Sequence, residues 1–315
     1  MLPLLTPRVG GWGGRGLNFA ARAGKYPAMP TALLFPGQGS QTDDMRELVA
    51  EHEPELLALA QEEAGDDVFE RSGEGTEFAQ PSILCASIAS WVRAGRPSAD
   101  YLAGHSLGEL SALVAAGSIP PEGAVRLAAE RGRLMAAAAG DAPGGMMALL
   151  GDAVEARALA EAEGVLVAND NGPTQLVVAG PDHALEHVAK TAKARGVRAM
   201  RLAVRGAFHS PAIASAVDPF RAALEQTEVR TPNAPVFSSS TAAPFPTEPD
   251  DIRDTLALAL VRPVRWREVL ETLHDLGVRS FVEAGPGKAL TGMVRRAFDD
   301  VEATRLKPAQ EVVNA

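Results

Sequence analysis

From residue 29 onward, short apolar runs alternate with stretches in which apolar and small residues recur at helical spacing. Thr31-Ala-Leu-Leu-Phe35 has the length and composition of a buried strand and stops at Pro36-Gly37. The spacing predicts helices over 45–64 and 80–94, then a short strand over 100–103 that ends at Gly104. Residues 107–116 and 122–139 read as two more helices, separated by Pro120-Pro121. Such strand–turn–helix alternation predicts an α/β fold with a mainly parallel sheet, because each parallel crossover needs a connecting helix.

The rhythm changes after Gly140-Asp-Ala-Pro-Gly-Gly145. Strand patterns at 146–150, 165–168, 175–179 and 199–204 enclose helical patterns at 153–163 and 182–195. That is β-α-β-β-α-β, the ferredoxin-like order. Past Gly206 the larger pattern resumes, with strands near 235–238 and 279–283. The expected organisation is a large subdomain built from 29–142 and 206–315, interrupted by a small inserted subdomain at 143–205. There is no internal repeat, and no apolar run is long enough to span a membrane.

Charge then divides the chain unevenly. The full 315 residues carry a formal charge of −10, which argues against a nucleic-acid or anionic-membrane surface. Residues 1–28 hold Arg8, Arg15, Arg22 and Lys25 and no acid; removing these four from the 30 Lys and Arg leaves 26 against 40 Asp and Glu. This stretch is rich in Gly and Pro and reads as a disordered extension, with the domain starting at Met29 and an Arg-rich transit peptide as the alternative. Its Gly11-Trp-Gly13-Gly-Arg-Gly16 follows no strand pattern and is an accidental match to a dinucleotide loop. A second acid-free stretch, 187–217, carries Lys190, Lys193, Arg195, Arg198, Arg201 and Arg205. It reads as a docking patch for an acidic protein, with a solvated helix face as the plain alternative. Cys85 is the only cysteine, so no internal disulfide forms, and a reducing cytoplasmic setting fits.

Gly104-His105-Ser106-Leu107-Gly108 is a G-x-S-x-G between a predicted strand and a predicted helix, the arrangement of a nucleophile elbow. Ser106 is therefore the candidate nucleophile, with a helix N-terminus available for a developing oxyanion. Of the six histidines, His209 lies in a loop leaving the inserted subdomain and is the candidate base, while His105 should point away from Ser106. His183-Ala-Leu-Glu186-His187 has the spacing of a zinc site but reads as a solvated helix face, and Gly285-Pro-Gly287-Lys288 as a tight turn. Cys85 reads as a small core residue. Arg131 is either a surface arginine or a buried guanidinium suited to gripping a carboxylate.

Phe35-Pro-Gly-Gln-Gly-Ser-Gln41, Gln80-Pro81, Gly104-His-Ser-Leu-Gly-Glu109, Arg131-Gly-Arg-Leu-Met135, Phe208-His209-Ser210, Pro263-Val-Arg-Trp266 and Glu283-Ala-Gly-Pro-Gly-Lys288 stand together in register. In this order they resemble the malonyl-CoA:acyl carrier protein transacylases, over about residues 31–307. The resemblance implies an α/β-hydrolase-like large subdomain with a ferredoxin-like insertion. It implies malonyl transfer from coenzyme A to the phosphopantetheine thiol of acyl carrier protein, in a ping-pong sequence through a malonyl-serine, without a bound cofactor or metal. Carried over, Ser106 is the nucleophile and His209 the base. Gln38 and Leu107 give backbone N–H groups to the oxyanion, Arg131 binds the malonyl carboxylate, and Gln80 lines the same site. The backbone carbonyl of Ala259 orients His209, and Phe208 favours malonyl over methylmalonyl. Carrier protein would dock at Lys190, Arg198 and Arg201, and the family suggests a monomer.

Relatives often have Gln where Ala259 stands, and usually an Asn where this chain has Ser238-Ser-Ser240, which puts a side-chain hydrogen bond from that strand to the site in doubt. A serine esterase or thioesterase on a similar fold is the other enzymatic reading, which has no need of a buried Arg131. A non-catalytic binding protein is the third, which an intact Ser106 and His209 oppose.

Overall fold

A computed structural model describes residues 29–309, so the expectation for residues 1–28 lies outside the described residues. The chain opens with β1 (Thr31–Phe35), α1 (Met45–His52), α2 (Pro54–Ala64), α3 (Thr76–Arg93), β2 (Tyr101–Gly104), α4 (Gly108–Ala115) and α5 (Pro121–Asp141). The helix expected over 45–64 is two helices, because Pro54 has no N–H for a continuing ladder and instead starts α2 at its first position. Helix α3 begins at Thr76 rather than near Gln80, so Gln80 lies one turn inside it.

The next elements are β3 (Gly145–Leu150), α6 (Ala153–Ala162), β4 (Leu166–Gly172), β5 (Gln175–Gly180), α7 (Asp182–Ala192) and β6 (Arg198–Arg201). They form a four-stranded sheet in the order β4-β5-β3-β6, all neighbours antiparallel, which is the ferredoxin-like topology. Its helices bury a core of Met147, Leu149, Leu159, Leu176, Val178 and Leu185.

The chain closes with α8 (Val217–Glu225), β7 (Val236–Ser238), β8 (Ala243–Pro244), α9 (Pro249–Ala259), α10 (Trp266–Asp275), β9 (Ser280–Glu283), α11 (Ala289–Ala297) and β10 (Glu302–Arg305). The six-stranded sheet runs β10-β9-β1-β2-β7-β8, parallel except at the β7–β8 hairpin. β1 and β2 are its centre, and the loops after their C-terminal ends carry residues 36–41 and 105–107. In open parallel sheets this is the edge where ligands bind. Among the described residues, no helix is long and apolar enough to cross a membrane.

The two sheets meet through β4. Asp170 N–H donates to the Val264 carbonyl and Val264 N–H to the Ala168 carbonyl, each at 2.8 Å. Asp170 also receives Arg157 from α6, at 2.8 Å, and Arg267 from α10. Residues 169–171 are polar yet buried because they face this seam instead of solvent.

Candidate active site

Ser106 sits between β2 and α4 with φ +51, a left-handed conformation costly for a residue with a Cβ. The flanking glycines make the turn fit: a Cβ on Gly104 would lie 2.0 Å from the Gly108 carbonyl carbon, and one on Gly108 would lie 2.1 Å from the Phe35 carbonyl oxygen. No rotamer change relieves a clash with backbone, so both positions exclude a side chain. The turn thrusts the Ser106 hydroxyl outward, where Oγ meets His209 Nε2 at 2.8 Å.

His209 is buried and also has positive φ, +57. Its Nδ1 is held by two carbonyl oxygens, Ala259 at 3.0 Å and Arg262 at 3.1 Å. Two acceptors on Nδ1 require the proton there, which leaves Nε2 free to accept from Ser106. Burial first, and the nearby Arg131 charge second, hold the His209 pKa down to about 3. The ring is thus a neutral base across the physiological range.

Arg131 lies within α5 at 5% exposure, so it is the buried guanidinium and not the surface arginine. Nη2 donates to Ser106 Oγ at 3.0 Å and Nη1 to Gln80 Oε1 at 2.7 Å. Burial lowers its pKa from the ordinary 12.5 to about 10, with the Glu109 charge opposing that fall. Among the described residues no carboxylate pairs with it directly, so it stands charged beside the serine with donors to offer an anion.

Leu107 occupies the N-cap of α4. Among the described residues, neither its N–H nor that of Gln38 is used by another group of the chain. Gln38 lies in the loop after β1. That loop is backed by Gly285, where a Cβ would come within 2.7 Å of the Pro36 ring. The Glu283-Ala-Gly-Pro-Gly-Lys288 motif therefore supports the site from behind. Its Glu283 carboxylate caps α11, accepting from Leu290 N at 3.1 Å and Thr291 N at 2.7 Å. As expected, the segment is a turn.

Sequence reasoning missed three groups. Glu109 is buried, and its Oε1 accepts from Ser238 Oγ at 3.0 Å, Ser239 N at 2.6 Å and Ser239 Oγ at 2.9 Å. Burial raises its pKa against the pull of these donors and of Arg131. Ser239 Oγ in turn accepts from Ser106 N at 3.3 Å. The serine strand does reach the site, contrary to the doubt raised by the missing Asn. The third group is Thr76, whose hydroxyl joins Gln80 to Gln38. His105 points away from Ser106, as expected, donating from Nε2 to Asn171 Oδ1 (2.8 Å) and packing edge-on against Trp266.

A cleft of about 830 Å³ opens between the ends of α3 and α5 and the segment after β6, lined among others by Gln38, Thr76, Glu77, Leu202, Arg205 and Phe208. Phe208 is buried beside His209 and forms part of this wall.

The proposed docking patch is not one surface. Lys190, Arg198 and Arg201 are all exposed, but Arg198 and Arg201 are three residues apart on β6 and leave it on opposite faces. Arg201 is tied to Asp182 at the start of α7, the helix that carries Lys190. Arg198 shares its face with Met200, which is 44% exposed. His183 is exposed and His187 pairs with Glu163 at 2.9 Å, so that helix face is solvated. Among the described residues no cluster of His, Cys, Asp and Glu could hold a metal. Cys85 is fully buried in the core, and burial pushes its thiol pKa up.

A family model described as "Acyl transferase domain" matches residues 33–313. The malonyl CoA-acyl carrier protein transacylase of Escherichia coli K12 is 37% identical over 294 residues, covering 87% of this chain and 95% of that protein. The polyketide biosynthesis protein ThaF of Burkholderia thailandensis is 35% identical over 301 residues, but the chain spans only 25% of its length. Among solved structures, the Mycobacterium tuberculosis MCAT superposes with a TM-score of 0.82 at 34% identity, covering 90% of this chain and 98% of that one. PlMCAT, a malonyl-transacylase solved in complex with AntF, a type II PKS acyl-carrier protein, gives 0.80 at 34% identity, with 91% and 98% covered.

Proposed function

The chain belongs to the acyl transferase domain family, and on that premise we propose how its residues carry out malonyl transfer from coenzyme A to acyl carrier protein. The activity is that of an acyl-carrier-protein S-malonyltransferase serving fatty-acid or polyketide synthesis, with malonyl-CoA and carrier protein as substrates and no cofactor. The observation that carries the residue assignment is the convergence of His209 Nε2 and Arg131 Nη2 on one oxygen, Ser106 Oγ.

Ser106 Oγ attacks the thioester carbonyl as His209 Nε2 takes its proton. The oxyanion is held by the unused N–H groups of Gln38 and Leu107, the latter at the positive end of α4. Collapse expels the thiol of coenzyme A, which leaves with the proton from His209. The phosphopantetheine thiol then gives its proton to His209 and attacks the malonyl-serine ester, regenerating Ser106. Both half-reactions use one base. The imidazolium formed in each is stabilised by the Ala259 and Arg262 carbonyl dipoles instead of a carboxylate.

Arg131 binds the malonyl carboxylate and so selects acids over plain acyl groups. This cation is what a general esterase would not need. Gln80 steadies the guanidinium, and the Phe208 ring crowds the methyl of methylmalonyl; one methylene is worth about 1–3 kcal/mol in such a pocket. Within the described residues the large subdomain spans 29–142 and 206–309, and the small one 143–205, with the acyl group entering between them. The enzyme acts as a cytoplasmic monomer. Carrier protein approaches the basic stretch around Arg198, with Lys190 and Arg201 on the adjoining helix side.

The test is a chase. Malonyl-enzyme freed of malonyl-CoA is mixed with holo-carrier protein, and malonyl-carrier protein is expected in one-to-one yield. Release of free malonate instead would identify a hydrolase.

A further inference from the structure

Gln38, Thr76, Gln80 and Arg131 come from the β1 loop, α3 and α5, yet one hydrogen-bond chain joins them. Arg131 Nη1 donates to Gln80 Oε1 at 2.7 Å, Gln80 Nε2 to Thr76 Oγ1 at 2.8 Å, and the Thr76 hydroxyl to Gln38 Oε1 at 2.8 Å. The direction is fixed from one end. A guanidinium can only donate, so Gln80 must present its oxygen to Arg131 and its nitrogen to Thr76, whose single proton then goes to Gln38. Gln80 is buried and depends on these partners, whereas Thr76 and Gln38 border the cleft. Thr76 is the first residue of α3 and β-branched, with a fixed backbone and a stiff χ1. Gln38, by contrast, is in a loop and is followed by Gly39 at φ +98, so its peptide orientation depends on what its side chain holds.

We propose that Thr76 is a positioning residue that couples the carboxylate-reading Arg131 to the oxyanion-binding loop at Gln38. The inference rests on the roles proposed above for Ser106, Arg131 and Gln38. A malonyl carboxylate that engages Arg131 immobilises the guanidinium. The immobilised guanidinium fixes the Gln80 amide, Thr76 passes this on, and the Gln38 N–H is set toward the developing oxyanion. An acyl group without a carboxylate leaves Arg131 unanchored and the Gln38 peptide less well aligned. Selectivity for the acid is then expressed in the rate of acylation as well as in binding. Cutting the chain at Thr76 leaves Arg131 able to bind the carboxylate while transition-state alignment is lost, so kcat falls and KM does not.

The experiment measures coenzyme A release by rapid mixing, for malonyl-CoA and acetyl-CoA, with wild type, Thr76→Val, Thr76→Ser and Gln38→Ala. Valine keeps the branched shape and removes the hydroxyl. Thr76→Val should slow malonyl acylation about tenfold or more, a size typical of a misplaced catalytic group. KM should stay within about twofold, and the advantage of malonyl over acetyl in rate should shrink by a similar factor. Thr76→Ser should restore most of the rate. Gln38→Ala cuts the same chain at its half-buried end in the β1 loop, and should reproduce the loss if Thr76→Val fails to fold. A wild-type rate in Thr76→Val or in Gln38→Ala, or equal losses with both substrates, overturns the coupling. Ser106→Ala separates the premises: a malonyl adduct that persists there refutes the site assignment, whereas its loss alongside unimpaired Thr76→Val refutes only the relay.

Discussion

Replacing Arg131 by Met should leave stability nearly unchanged while activity on malonyl-CoA collapses. The guanidinium is nearly fully buried, and its pKa falls from 12.5 to about 10, a burial cost of about 3 kcal/mol for holding the charge. Both folded and unfolded chains keep this arginine charged at pH 7, so the cost is present there and is relieved only as pH rises through 10. Met fills a similar length without the charge, but it gives up two hydrogen bonds from a charged donor, to Gln80 and Ser106, worth at least about 1.5 kcal/mol each. The two terms nearly cancel, so Tm should stay within about 2–4 °C of wild type for a chain of this size. The malonyl carboxylate meanwhile loses a buried cationic partner, a loss of about 3–5 kcal/mol, which is about 10²–10⁴-fold in kcat/KM. Calorimetry and coenzyme A release with malonyl-CoA and acetyl-CoA read the two effects. A variant destabilised by more than about 2 kcal/mol, or one that still prefers malonyl-CoA as strongly, would refute the view of Arg131 as a charge kept for the substrate.

Because burial holds His209 neutral down to about 3, acylation should be flat from about pH 8 to about pH 5, and an acid limb centred near 6.5 would contradict the ring's environment. The unfolded chain protonates this histidine at the ordinary 6.5, so its contribution to stability falls as pH drops below 6.5; His209→Gln should flatten that part of the stability–pH curve. Gly104→Ala, forced onto the Gly108 backbone, should fail to give folded protein by circular dichroism, and a Tm near wild type would mean the elbow relaxes. Arg198→Glu should raise KM for carrier protein while malonylation by malonyl-CoA stays intact, and an unchanged KM at moderate ionic strength would remove Arg198 from the docking surface.

The parallel core was legible because β1 and β2 are apolar runs ended by Gly and Pro, and the inserted unit because its six elements each carry their own periodicity. β10 escaped notice for a physical reason. It is an edge strand whose Glu-Ala-Thr-Arg buries only Ala303, so no apolar run marks it. β4 runs longer than its apolar stretch, since Asn169-Asp-Asn171 is buried against the seam through polar contacts. Of the site, Ser106, His209 and Arg131 stood out by residue type and motif. Ser239 did not, because its contacts with Ser106 and Glu109 span more than a hundred residues of chain, and Glu109, although inside the quoted motif, shows its role only once Ser239 is placed against it. Strand alternation undid the single basic patch: an acid-free run of sequence need not be one face when part of it is β6.

The most direct measurement is the intact mass of the protein after brief mixing with malonyl-CoA in the absence of carrier protein. Wild type should gain one malonyl group, localised to Ser106 by peptide mapping, and Ser106→Ala should gain none. An adduct on another residue, or one that persists in Ser106→Ala, would contradict the account.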